Sequence, residues 1–247
     1  MARTLRGDTV HQHIGYEAAG GPFNEIKLNS RNLPHNPFVN SGAIIMASLI
    51  LPEKDTAERF ETCMGFYRAA SASALGFDKA LCESEAGIGD RNTTLAYFLR
   101  ENGAYNGKLK QTDAQICSHL ELYYKLCAVT ADAGALATMA ATLATGGTNP
   151  VTGERVFSEA IVRDCVSLMS TCGMFGFSGE FACTAGLPAK SGVSGCMMAV
   201  VPGVGGLATF SPRLDQHGNS VRSVAFYRRF GELTEHRYHA FSTGAAI

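Results

Sequence analysis

Near residue 188 the sequence changes its period, and that change dictates the class of fold. Upstream, from about residue 39, apolar residues recur at helical spacing between capping and breaking signals. Downstream, two apolar runs, Ser194–Val201 and Leu207–Pro212, are parted by Pro202-Gly-Val-Gly-Gly206. Such runs around a Pro/Gly link predict two antiparallel strands. Ser220 then caps a final amphipathic helix carrying Val224, Tyr227 and Phe230. A helical block followed by a hairpin and a helix is an α+β arrangement.

The helical block divides at its own punctuation. Gly42–Leu51 reads as a short apolar helix closed by Pro52, whose ring cannot continue it. Asp55 caps the next helix, with Phe60, Met64, Tyr67 and Ser71 at helical spacing until Gly76. Asn92 is placed to cap Thr93–Asn102, which ends at Gly103. Thr112 or Asp113 opens a helix with Ile116, Leu120, Tyr123 and Cys127 along one face. Thr130–Thr145 is alanine-rich and stops at Gly146, while Ser158 caps a helix carrying Ile161, Cys165 and Leu168. Residues 1–38 contain no long periodic helix; Phe23–Leu28 alternates in part, as a short extended segment would.

Composition narrows the function. Of 247 residues, 46% are hydrophobic and 17% charged, enough apolar material for a core. Net charge is −1 with no basic run, which argues against a nucleic-acid partner or a polybasic membrane patch. No apolar run reaches the roughly 18 residues that span a bilayer, and Met1–Arg6 lacks the apolar stretch of a signal peptide. The eight cysteines include no C-x-x-C pair and read as free thiols of a reducing compartment. The pairs His11/His13 and His236/His239 each lack a third nearby ligand, so no metal site is expected.

Chemistry concentrates in Leu187-Pro-Ala-Lys190-Ser-Gly-Val193. A Lys-Ser-Gly triplet opening a strand is similar to the Lys-Thr/Ser-Gly element of serine β-lactamase-like enzymes, where backbone N–H groups along the edge stabilise an oxyanion. Further segments occur in order: Pro34-His-Asn-Pro-Phe-Val-Asn40-Ser-Gly42, Gly89-Asp-Arg-Asn92, Ala140-Ala-Thr-Leu-Ala144, Thr152-Gly-Glu-Arg-Val156 and Leu168-Met-Ser-Thr-Cys-Gly-Met174. Together they resemble the serine-dependent glutaminase family, from about Val10 to about Ser223. The resemblance implies a β-lactamase-like fold, hydrolysis of L-glutamine to glutamate and ammonia, no cofactor, and a homo-oligomer, dimer or tetramer. It also implies an intracellular setting, cytoplasmic or mitochondrial.

Carried over by position, the resemblance assigns substrate binding to Asn40, Glu85, Asn92, Tyr123 and Val193, and catalytic roles to Tyr123 and Lys190. An Asn40 amide can both donate to and accept from the amino-acid end of a substrate; equally, an asparagine there can secure a loop. A Glu85 carboxylate would pair with the substrate ammonium. Tyr123 reads either as a site residue or as a core tyrosine on its apolar helix face. Val193 matches a position whose backbone N–H faces the substrate amide, and Lys190 matches the triplet's lysine.

Two departures stand against those matches. The family's nucleophile lies in Ser-x-x-Lys. Here the residues three before each lysine are Asn24, Leu51, Gly76, Tyr105, Gly107, Leu122 and Leu187. None is serine. The family's Cys-Gly-Met-Tyr reads Cys172-Gly-Met-Phe175, which keeps the ring and loses the hydroxyl that would move a proton. The expectation is one glutaminase-like domain over 1–247 that lacks its N-terminal part. It has a mainly helical lobe at 39–175 and a partial sheet with terminal helix at 186–235. Such a chain is expected to be inactive or nearly so alone, with a non-catalytic glutamine/glutamate-binding or oligomerisation module as the alternative. A missing beginning would also leave apolar surface and a strand edge uncovered.

Overall fold

The computed structural model describes residues 7–105 and 111–241. The readings of Met1–Arg6, of Lys108 and Lys110, and of the final residues of the 1–247 domain lie outside them. The chain is α+β, with helices dominating and, among the described residues, two small antiparallel sheets. It divides into two compact units: residues up to 65 with 75–130, and residues 66–74 with those from 131 onward.

In the first unit, α1 (Gly7–Val10), α2 (Asn40–Leu49) and the start of α3 (Thr56–Ser71) precede β1 (Gly76–Phe77). Then come α4 (Lys79–Gly87), α5 (Asp90–Glu101), α6 (Asp113–Cys127) and β2 (Val129–Thr130). Strand β1 pairs with β2, Gly76 opposite Thr130 and Phe77 opposite Val129. The core joins Ile14, Ile44, Ile45, Leu95, Leu99 and Ile116, none of them exposed. Arg59, 1% exposed, fixes the end of α2. Its guanidinium donates to the Ile50 carbonyl at 2.8 Å, to the Ala47 carbonyl and to Ser118 Oγ at 3.1 Å. It thereby occupies carbonyls that a helix C-terminus leaves unpaired, and places positive charge at the negative end of the dipole.

Several local expectations shift here. Helix α2 begins at Asn40, two residues earlier than its pattern suggests, and ends before Pro52. Helix α5 begins at Asp90 with Gly89 at its cap, so Asn92 lies inside the first turn and caps nothing. Thr112 is the cap of α6, in a reciprocal box with Gln115. The buried residues of α6 are Ile116, His119, Leu120, Leu122 and Tyr124, whereas Cys127 is exposed. The stripe is wider than one face because α2, α4 and α5 all pack on this helix. Among the described residues Phe23–Leu28 forms no strand. Helix α4, capped by Asp78 accepting from the Leu81 N–H at 2.9 Å, has no apolar stripe and carries no buried residue. Periodicity therefore could not announce it.

The second unit holds the end of α3, α7 (Ala133–Ala144), α8 (Glu159–Cys172), a 3-10 turn at Phe175–Phe177 and α9 (Ser178–Thr184). Its sheet follows as β3 (Ala189–Ser191), β4 (Cys196–Val201) and β5 (Gly205–Phe210), and then α10 (Val221–Leu233). Helix α7 starts three residues later than its composition suggests, because Asp132 caps it, accepting from Ala135 N–H at 2.7 Å. The sheet is a three-stranded meander, β3-β4-β5, with Lys190 opposite Met198 and Cys196 opposite Phe210. Lys-Ser-Gly therefore closes a short strand and does not open one. One sheet face sends Met197, Ala199 and Val201 into a core with Phe181 and Tyr227, while the small side chains of α7 let it pack closely on β4 and β5. Thr142 Oγ1 and Asn149 Nδ2 occupy the Ala70 carbonyl at 2.8 and 3.2 Å, which terminates α3.

Among the described residues no single helix is long and apolar enough to cross a membrane. The pair Glu159–Cys172 and Phe175–Thr184, bent by 90°, passes on combined length and composition only.

Candidate functional site

In the first unit Asn40 stands on the opening residue of α2 and Asn92 on the first turn of α5. Asn40 Nδ2 donates to Asn92 Oδ1 at 2.9 Å. Two residues of the predicted set are thus brought together across 52 positions of sequence. The Asn40 N–H donates to the Phe23 carbonyl at 2.8 Å, and Asn36 Oδ1 accepts from the Phe38 N–H at 2.9 Å. These bonds hold the Pro34–Asn40 approach in one path.

Tyr124, absent from the predicted set, belongs to the same cluster. Its hydroxyl donates to the Gly89 carbonyl at 3.3 Å and hydrogen-bonds the Asn92 side chain. Gly89 must lack a side chain, since a Cβ there would lie 1.9 Å from that hydroxyl. The glycine of Gly-Asp-Arg-Asn is therefore a close-approach residue. Its signal in the sequence was the tyrosine pair itself, in which the second member, not the first, is the more deeply buried.

Tyr123 is half-buried on α6. Burial, chiefly, pushes its hydroxyl above the usual range; the Cys127 sulfur to which it hydrogen-bonds, Tyr124 and the Glu85 charge add to the effect. A phenol so held stays protonated at neutral pH and serves as a hydrogen-bond donor. Glu85 sits in the last turn of α4, exposed. The helix dipole disfavours an anion there, and among the described residues no salt bridge reaches it. Asn40, Asn92, Tyr124, Tyr123 and Glu85 thus supply two amides, two phenols and an uncompensated carboxylate.

In the second unit Lys190 lies on β3 with its Nζ 4.8 Å from the centre of the Phe175 ring and in contact with the Ser191 carbonyl. Burial pulls its ammonium down to about 8, partly offset by Cys196. Phe175 adopts a left-handed backbone, φ +56°, a strained conformation for a bulky residue. Val193 is exposed in the turn after β3. Its side chain and the Phe175 ring both border Gly218. What secures this edge was not foreseen. Asn219, fully buried, accepts from Ser191 Oγ at 2.6 Å through its Oδ1 and donates from Nδ2 to the Met174 carbonyl at 3.2 Å. Gly173 completes the junction: a Cβ would lie 1.8 Å from the Ala189 carbonyl oxygen, and the Ser191 N–H donates to the Gly173 carbonyl. The Cys-Gly-Met-Phe and Lys-Ser-Gly segments are two sides of one joint. Among the described residues no group of three His, Cys, Asp or Glu is placed to hold a metal ion.

The family profile described as Glutaminase matches residues 1–240. The chain is 42% identical over 231 residues to the rat protein named "Glutaminase liver isoform, mitochondrial", covering 93% of this chain and 38% of that protein. It is 41% identical over 224 residues to a glutaminase of Microcystis aeruginosa, covering 90% and 64%. A crystal structure of Bacillus glutaminase in 4.3 M NaCl superposes with a TM-score of 0.86 at 29% identity, covering 95% of this chain and 78% of that one. The chain spans 37% to 40% of the length of its nematode and rat relatives.

Proposed function

The chain belongs to the glutaminase family, and from that premise we propose that it carries the amino-acid-binding half of the chemistry by which L-glutamine is hydrolysed to L-glutamate and ammonia. The Asn40–Asn92 hydrogen bond supports this reading most directly. In it, Glu85 receives the substrate ammonium, while the Asn40 and Asn92 amides hold the amino-acid end. Tyr123, kept protonated, donates to it. Within the second unit, the Val193 N–H and the Lys190 ammonium keep the roles that the family resemblance implies for them. The fold belongs to a single glutaminase-like domain of a homo-oligomeric, intracellular protein that needs no cofactor.

Within these 247 residues no serine precedes a lysine by three, so an acyl-enzyme on Ser-x-x-Lys has no nucleophile here. Phe175 has no hydroxyl to pass a proton. The 247-residue chain by itself is accordingly assigned binding without turnover. Phe175 also favours a second reading, a glutamine- or glutamate-binding or assembly module with no catalytic role.

Titration calorimetry of the 247-residue chain tests the binding claim. L-Glutamine and L-glutamate are expected to bind in preference to the D-isomers, and Glu85→Gln to weaken binding about tenfold, the loss of one charged hydrogen bond. Absence of binding at millimolar L-glutamine, or equal binding of both enantiomers, refutes it. Ammonia release above a heat-killed control would refute the claim of no turnover.

A further inference from the structure

Strands β3 and β4 bring a lysine and a cysteine together that none of the glutaminase chemistry uses as a pair. Lys190 lies opposite Met198. Alternation then puts Cys196, two residues before Met198, on the same sheet face, at the diagonal position of the antiparallel ladder. The Cys196 sulfur offsets part of the effect of burial on Lys190. Opposite Cys196 across the turn stands Gly192, whose N–H donates to the Cys196 carbonyl at 2.9 Å. Having no side chain, Gly192 leaves Sγ uncovered on that side. Ser194 Oγ donates to Sγ at 3.2 Å from within the turn. Both Lys190 and Cys196 are half-buried and so within reach of a small reagent.

We propose that Lys190 and Cys196 form an acyl-relay modification site, in which the thiol captures an acyl group from an acyl thioester and hands it to the lysine amine. In the first step the Cys196 sulfur attacks the thioester carbonyl. A new S–acyl bond forms, the old one breaks, and the departing thiolate takes up the proton that Cys196 releases. In the second step the neutral Lys190 Nζ attacks that carbonyl, an amide forms, and the proton lost by nitrogen restores the Cys196 thiol. Nothing is oxidised or reduced. An amine is nucleophilic only when unprotonated, and burial makes that form of Lys190 accessible near pH 8. Exposed lysines such as Lys79, at 80% exposure, lack that burial. Acylation removes the charge that lies over the Phe175 ring, so the modification would read out at the edge carrying Val193.

The test is incubation of the 247-residue chain with acetyl-coenzyme A at pH 8, followed by peptide mapping for acetyl groups on each lysine. Lys190 is expected to be acetylated about tenfold faster than Lys79, with a hydroxylamine-labile acetyl on Cys196 preceding it. Cys196→Ser is expected to slow Lys190 acetylation about tenfold. An N-hydroxysuccinimide acetate ester, which needs no thiol, should label Lys190 equally in both proteins, showing that the lysine is still folded and reachable. Equal thioester rates at Lys190 with and without Cys196, or labelling of Lys79 before Lys190, overturns the proposal.

Discussion

Asn40 and Asn92 are joined side chain to side chain, Nδ2 to Oδ1 at 2.9 Å, from the opening turns of two different helices. Asn92 is 9% exposed, so its oxygen has little access to water if the donor is removed. Asn40→Ala is expected to cost about 1–2 kcal/mol in urea unfolding, because a buried acceptor is left unsatisfied. Asn92→Ala should cost a similar amount. The double variant should lose about 1 kcal/mol less than the sum. Strict additivity would show that the two amides are not coupled.

Gly89 and Tyr124 form the second coupled pair. Gly89→Ala places a methyl 1.9 Å from the Tyr124 hydroxyl and 2.8 Å from Cζ, and is expected to destabilise by about 1–3 kcal/mol, the usual cost of overpacking. In a Tyr124→Phe background the nearest clashing atom is gone, so the same alanine should cost less than half as much. Chemical denaturation of the four proteins of the cycle measures this. An equal cost in both backgrounds would mean that the backbone at position 89, not the hydroxyl, sets the requirement.

His119 makes stability depend on pH. It is 4% exposed; its Nε2 faces Gln111 Oε1 at 3.2 Å, while Nδ1 has no partner. Burial, reinforced by the Arg59 charge, lowers it from 6.5 to about 4. The folded state therefore binds fewer protons than the unfolded state in that window. Its contribution is complete above pH 6.5 and is lost as pH falls through about 4. The shift corresponds to about 3 kcal/mol. His119→Phe, which keeps an aromatic ring beside Tyr105, should lessen by that order the loss of stability between pH 7 and pH 4. Superimposable pH–stability curves for the two proteins would remove His119 from the account.

Helices were legible where a cap and a stripe coincide. Asp55, Thr112, Ser158 and Ser220 each accept from the third residue of their helix, and those bonds depend on neighbours in sequence alone. Helix α4 was not legible, because none of its residues is fully buried and it has no stripe. The face of α6 was misjudged for the opposite reason. Three helices press on it, so burial extends past the single stripe that Tyr123 and Cys127 suggested and takes in His119, Leu122 and Tyr124. Strand β3 is too short to stand out, and only pairing with β4 defines it.

The motif residues Asn40, Glu85, Asn92, Tyr123, Lys190 and Val193 could be named from sequence because motifs record residue type and order. So could Phe175 and the absence of Ser-x-x-Lys within these 247 residues. Tertiary structure alone decided who touches whom. It set Tyr124 against Gly89 and Asn92, tied Ser191 to Asn219, and laid Cys196 diagonal to Lys190. Such contacts arise from packing and strand register, which local propensity does not specify. The period change near residue 188 announced strands, but their register determined which side chains share a face.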